Sequence, residues 1–220
     1  MTIRFTASGR PAGIGLPFRE GDELDQPTFH RLYEAVEEDV KAELIEGVVC
    51  MPAAALRARH GDLHMMLMTW LGLYQAATPG VRSFDNATVI LGPASEPQPD
   101  ACVLREGGPA AVNDDDYIEG PPTLVVEVSH SSADRDLGSK QRDYERGGVE
   151  EYLVLIVESS ETRWFVRGAG GRFAQLARPD DGVLRSPGLA GLWLDVAALF
   201  DGDLPRLIAT LQRGIDGRHA

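Results

Sequence analysis

A chain of 220 residues, 43% hydrophobic and 25% charged, is long enough for one domain with a sizeable core. Its formal net charge of −13 excludes a protein that coats nucleic acid by bulk attraction, because such binding needs Lys and Arg to neutralise phosphates. Apolar runs such as Tyr152 to Val157 are far shorter than the roughly 20 residues of a membrane span. The start, Met1-Thr2-Ile3-Arg4-Phe5, lacks a signal-peptide stretch, so a cytoplasmic protein without membrane contact is the expectation.

Residues 1–25 are rich in Gly and Pro and read as a loosely ordered N-terminal arm before a single domain over 26–215. Thr28 can cap a short helix over Phe29 to Glu38. Glu43 to Met51 reads as a first strand, with Glu43 and Glu46 on different faces or edges. Leu56 to Tyr74 is predicted as the principal helix, because Leu63, Met66, Leu67, Trp70, Leu71 and Tyr74 form one apolar stripe. Val81 to Leu91 reads as a second strand and Asp100 to Leu104 as a third. Glu106 to Pro121 reads as a loop, with Asp114-Asp115-Asp116 in solvent.

Leu124 to Val128 is a fourth strand, nearly all aliphatic, as in the middle of a covered sheet. Ser131 to Asp134 supply cap residues for a helix from Asp136 to Arg146, which Gly147-Gly148 ends. Tyr152 to Glu158 is a fifth strand, and Thr162 to Arg167 with Arg172 to Leu176 are antiparallel additions. Leu192 to Phe200 closes the domain, and a last helix covers about Pro205 to Arg213. This order predicts an α/β (α+β) fold with a mixed β-sheet flanked by helices. No GxGxxG follows a strand and no GxxxxGK[ST] occurs, so a nucleotide cradle has no support. Without a CxxC pair, Cys50 and Cys102 read as buried reduced thiols.

Two acids stand in strand-like apolar runs: Asp100 in Gln98-Pro99-Asp100-Ala101-Cys102-Val103-Leu104, and Glu127 in Pro122-Thr123-Leu124-Val125-Val126-Glu127-Val128-Ser129. A carboxylate there is costly unless its charge is compensated. If the strands are neighbours, the two acids can hold a Mg2+ ion, with the Val128 carbonyl as a third oxygen. Such an ion polarises a phosphoryl oxygen and acidifies a bound water. Asp136, Lys140 and Tyr144 recur at i, i+4 and i+8 on the following helix, which brings Lys140 back over the ion to orient water or steady phosphate charge. Taken singly, Lys140 also fits a surface pair with Asp136 or Asp143, and Asp100 fits a turn residue after Pro99. Glu43 is a candidate further acid, His60 a candidate phosphate contact and Tyr144 a candidate substrate-binding residue. His64 one turn on makes a zinc pair with His60 conceivable, but no HExxH is present. Ser129-His130-Ser131 lacks a GxSxG elbow.

These motifs come in a particular order: Glu43-Leu44-Ile45-Glu46-Gly47, Arg59-His60-Gly61, Gln98-Pro99-Asp100, the Glu127 strand, and Asp136-Leu137-Gly138-Ser139-Lys140 with Tyr144. Gly148-Val149-Glu150-Glu151-Tyr152 and Pro187-Gly188-Leu189 continue it. Over residues 27–200 the chain resembles the bacterial "putative restriction endonuclease" domain family of the PD-(D/E)XK nucleases. The resemblance implies a restriction-endonuclease-like fold, a Mg2+ or Mn2+ site and hydrolysis of DNA phosphodiesters. It maps Asp100 and Glu127 onto metal ligands, and Lys140 onto the superfamily lysine, moved to the helix because Ser129 stands where that lysine usually lies. Glu43 and His60 match further positions of the family. The chain departs from the family's Trp and Asp after Glu151-Tyr152, having Leu153 and Ile156 there. A homodimer is compatible with cutting two strands. The alternatives are a catalytically silent binding or regulatory module, and a hydrolase of small phosphorylated molecules.

Overall fold

The computed structural model describes residues 16–36, 40–51, 58–130 and 132–219. Its first helix, α1 (Gln26–Tyr33), starts earlier than Thr28 suggests: the Asp25 side chain accepts from Thr28 N, and Pro27 stands in the first turn. Asp25 is therefore the cap, and Thr28 lies inside the helix. Most of the proposed N-terminal arm lies outside the described residues. Within it, Phe18 is buried with Phe29, Ala42, Leu44 and Val49, whereas Pro17 and residues 19–23 are exposed.

The single strand expected over Glu43–Met51 is a hairpin, β1 (Glu43–Ile45) and β2 (Val48–Cys50), turning at Glu46 and Gly47. Both turn residues have positive φ, 52° and 80°, as a two-residue hairpin turn with matching twist requires. α2 (Ala58–Ala76) buries the whole predicted stripe from Leu63 to Tyr74; the expected start at Leu56 lies outside the described residues. The second predicted strand is two: β3 (Val81–Asp85) and β4 (Val89–Ile90), broken at Asn86 with φ of 49°. β5 (Ala101–Arg105) follows. The predicted loop contains β6 (Ala111–Val112) and β7 (Ile118–Glu119), which join β4 in a small sheet, while Asp114 to Asp116 are exposed.

β8 (Leu124–Ser129) is buried throughout. The next helix is continuous but not uniform: α3 (Ala133–Arg135), a π turn (Asp136–Lys140) and α4 (Gln141–Gly147), closed by Gly148 at φ of 96°. β9 (Glu151–Ile156), β10 (Glu161–Arg167) and β11 (Phe173–Gln175) come next, the last two antiparallel as expected. β12 (Val183–Arg185), not foreseen, pairs with β13 (Trp193–Asp195). α5 (Val196–Asp201) and α6 (Leu204–Asp216) follow, with a short 3-10 turn over Gly217–His219 after them.

The main sheet runs β11-β10-β9-β8-β5-β3, with only β8 and β9 parallel. It is thus the mixed sheet expected. One face packs on α2, α5 and α6 through Leu124, Val126, Val128, Trp70 and Leu211. The other buries Val125, Cys102, Tyr144, Tyr152 and Val154 under α4. Cys50 and Cys102 are free and buried. Among the described residues, no helix is long and apolar enough to cross a membrane.

Candidate functional site

β8 alternates faces, so Glu127 shares the side of Val125 and points under the helix that follows. β5 and β8 pair antiparallel with Ala101 opposite Val126. Continuing that register by one residue sets Asp100 opposite Glu127, where facing Cβ atoms are about 5 Å apart. The Asp100 carboxylate closes the corner: its Oδ2 accepts from Val128 N at 2.6 Å.

The π turn directs Lys140 into the same space. Its Nζ lies 2.8 Å from Glu43 Oε1 and 2.9 Å from Glu127 Oε1. Tyr144 OH donates to the same Glu127 oxygen at 2.8 Å. Glu43 Oε1 also accepts from Gln98 N, which ties the β1–β2 hairpin to the segment leading into Asp100. Glu43, Glu127, Asp136 and Lys140 are 4%, 5%, 3% and 4% exposed, and Asp100 is half-buried. The surface ion pair considered for Lys140 is therefore not what forms. Asp136 accepts from Ser132 Oγ instead, and Asp143 from Ser95 Oγ and Glu46 N.

The electrostatics follow from four acids around one lysine. Burial raises the Glu127 pKa well above the usual carboxylate range; Lys140 opposes this, while Asp136, Asp100 and Glu43 add to it. Asp100 is raised too, by burial, against the Val128 N–H, Lys140, His60 and His64. Burial alone lowers the pKa of a lysine, but here Glu127, Glu43 and Asp136 outweigh it and hold Lys140 charged. Among the described residues, Asp100 Oδ1 and Glu127 Oε2 accept no hydrogen bond. Glu43 Oε2 and Asp136 Oδ1 accept none either, so excess negative charge with several unused carboxylate oxygens makes a donor set suited to a hard divalent cation. Among the described residues no three His, Cys, Asp or Glu side chains form a metal cluster, so any ion here would take its remaining ligands from a backbone carbonyl such as that of Val128, from water or from substrate.

His60 is nearly buried and stacks on His64, rings 6.2 Å apart and 8° from parallel. His64 Nε2 lies 3.2 Å from Asp85 Oδ1 and 3.3 Å from the Asp100 carbonyl. The sequence singled out His64 only as a zinc partner of His60. Its contact with Asp100 depends on the bend at Asn86, whose N donates to the same carbonyl. Tyr144, expected to bind substrate, is 0% exposed and sits behind Glu127. Glu46 pairs with Arg142 and Arg146, away from Lys140. Ile156 falls opposite Ser129, two residues beyond Val154, which faces Glu127. An acid at that position would stand on the site's side of the sheet; an apolar side chain stands there instead.

A family model described as "Putative restriction endonuclease" matches residues 26–197. No curated protein matches the chain. A crystal structure described as "a putative nuclease belonging to DUF820", from Anabaena variabilis, superposes with a TM-score of 0.63 at 13% identity, covering 79% of this chain and 97% of that one. At that identity the likeness shows a common fold.

Proposed function

This chain belongs to the Uma2 family, described as "Putative restriction endonuclease", and from that premise we propose that it is a metal-dependent endonuclease hydrolysing phosphodiester bonds in DNA. The observation that carries the reading is the pair of unused oxygens, Asp100 Oδ1 just before β5 and Glu127 Oε2 on the neighbouring β8, beside a buried charged lysine. These two residues would hold one Mg2+ or Mn2+, and the ion would supply a Lewis acid for the phosphoryl group and a more acidic water.

The chain's own side chains do the rest. Lys140 stays protonated, so it acts as a fixed positive charge rather than a base, and it stabilises negative charge gathering on the phosphate. Glu43 orients Lys140 and fixes the Gln98 peptide before Asp100. Tyr144 fixes the Glu127 carboxylate by occupying one oxygen and leaving the other. His60 and His64 line the Asp100 side, where a phosphate neighbouring the cleaved one would meet donors in an otherwise acidic protein. A homodimer would bring two such sites to the two strands.

The test is incubation with supercoiled plasmid and Mg2+ or Mn2+. Nicked and linear products are expected from the native protein and none from Asp100→Ala. Absence of cleavage, or cleavage unchanged in Asp100→Ala, would reject the reading. Ile156 in place of the family's acid favours a second reading, a silent nuclease-fold module; that one expects no cleavage and no Mn2+ bound by calorimetry.

A further inference from the structure

Lys140 ends a π turn, and the turn is held from outside the helix. Asp136, its first residue, has its side chain bound by Ser132 Oγ at 2.6 Å and its carbonyl bound by Tyr152 OH at 2.9 Å. Tyr152 belongs to β9, so this hydroxyl is a direct tie from the sheet to the turn. Its ring cannot swing away: it is wholly buried, with Tyr144 4.9 Å away and Phe165 and Phe173 each at 6.2 Å. π turns are rare and often mark functional sites, because they contain one residue more than the helix prefers.

We propose that Tyr152, with Ser132, clasps Asp136 and thereby positions Lys140 between Glu43 and Glu127. Tyr152 touches neither substrate nor ion; it acts through the backbone register of the turn. Without its hydroxyl the buried Asp136 carbonyl loses a partner, and the turn relaxes toward ordinary α register. The Lys140 ammonium then leaves the point where both carboxylates reach it. The catalytic part of the idea rests on the endonuclease reading above, but the geometric part does not.

The chain has only two lysines, Lys41 and Lys140. Lys41 is exposed, so its ammonium protons exchange quickly with water. Lys140 is buried and doubly hydrogen-bonded, so its 15N-labelled ammonium should give a slowly exchanging NMR signal, assigned in Lys41→Arg. Tyr152→Phe is expected to shift or broaden that signal, and to lower kcat roughly tenfold with KM for DNA unchanged. Ser132→Ala, at the more accessible end of the clasp, is expected to move the signal less. Phe165→Leu thins the packing on the Tyr152 ring without touching the hydroxyl; it should lower Tm and leave the signal in place. If Tyr152→Phe folds and its Lys140 signal coincides with that of the native protein, the proposal is overturned. Should that variant not fold, an unmoved signal in Ser132→Ala overturns it. A signal moved as far by Phe165→Leu also overturns it, because packing and not the hydroxyl would then set the turn. A moved signal in a protein that never cleaves DNA supports the clasp and sinks only the endonuclease reading.

Discussion

Glu127 and Glu151 are buried carboxylates on neighbouring parallel strands, and burial raises the pKa of both. Their surroundings differ in kind. Glu151 is closed: Oε1 accepts from Ser186 Oγ and Gly188 N, and Oε2 from the Trp164 indole. All its donors are neutral, and they tie β9 to β10 and to the turn after β12. Glu127 accepts two bonds on one oxygen, one from a charged lysine, and has further acids around it. Burial therefore does not tell these two surroundings apart. Unused acceptor capacity and surplus charge do.

The largest effect that should separate the two is on cleavage. On the proposed reading Glu127→Gln takes away a metal-ligand oxygen, and it is expected to lower the cleavage rate by at least about 100-fold, read on plasmid with Mn2+. Glu151→Gln should leave the rate of the folded protein intact while unsettling one of its three donors. That change is expected to destabilise by about 1–3 kcal/mol, seen as a lower Tm in calorimetry. Equal loss of cleavage in both variants would erase the distinction.

The next contrast is in stability. Lys140→Met leaves Glu43 and Glu127 buried without their counter-charge, so a loss of about 3–5 kcal/mol is expected in urea melts. Millimolar Mn2+ should recover part of it, whereas the Glu151→Gln deficit should not respond to the ion. Smaller again is Tyr144→Phe, which removes a donor to Glu127 and should reduce Mn2+ affinity roughly tenfold by calorimetry.

The pH response is the gentlest probe. Asp143 is raised from 3.8 to about 6, by burial first and then by Glu46, against Ser95, the Glu46 N–H and Arg146. A raised acid binds its proton more tightly folded than unfolded. It therefore adds stability below its unfolded value, and that stability is lost as pH rises from about 4 to about 6. Asp100, Glu127 and Glu151 carry the same sign. The metal-free protein should lose stability across that window, and Asp143→Asn should flatten part of the slope.

Much of this was legible in the residues. Lone acids in aliphatic runs pointed to Asp100 and Glu127 because desolvated charge is improbable without a reason. The α2 stripe and the β8 run were equally plain. Yet Glu151 heads a similar run, and nothing local marks it as closed, since Ser186 and Gly188 arrive from 35 and 37 residues away. The hairpin at Glu46-Gly47 and the break at Asn86 were missed because non-glycine residues with positive φ leave weak signals. The π turn was invisible, since the hydroxyl bonded to its first residue arrives from Tyr152, 16 residues further along the chain. The i, i+4 spacing sets Tyr144 on the same helix face as Lys140, but it cannot tell which end of a buried side chain meets solvent.

The most direct test is a crystal grown with Mn2+, examined for anomalous density. The account expects one peak held by the Asp100 and Glu127 carboxylates, with Lys140 still on Glu127 Oε1. A clean map with no peak between those carboxylates, or with the ion bound elsewhere, contradicts it.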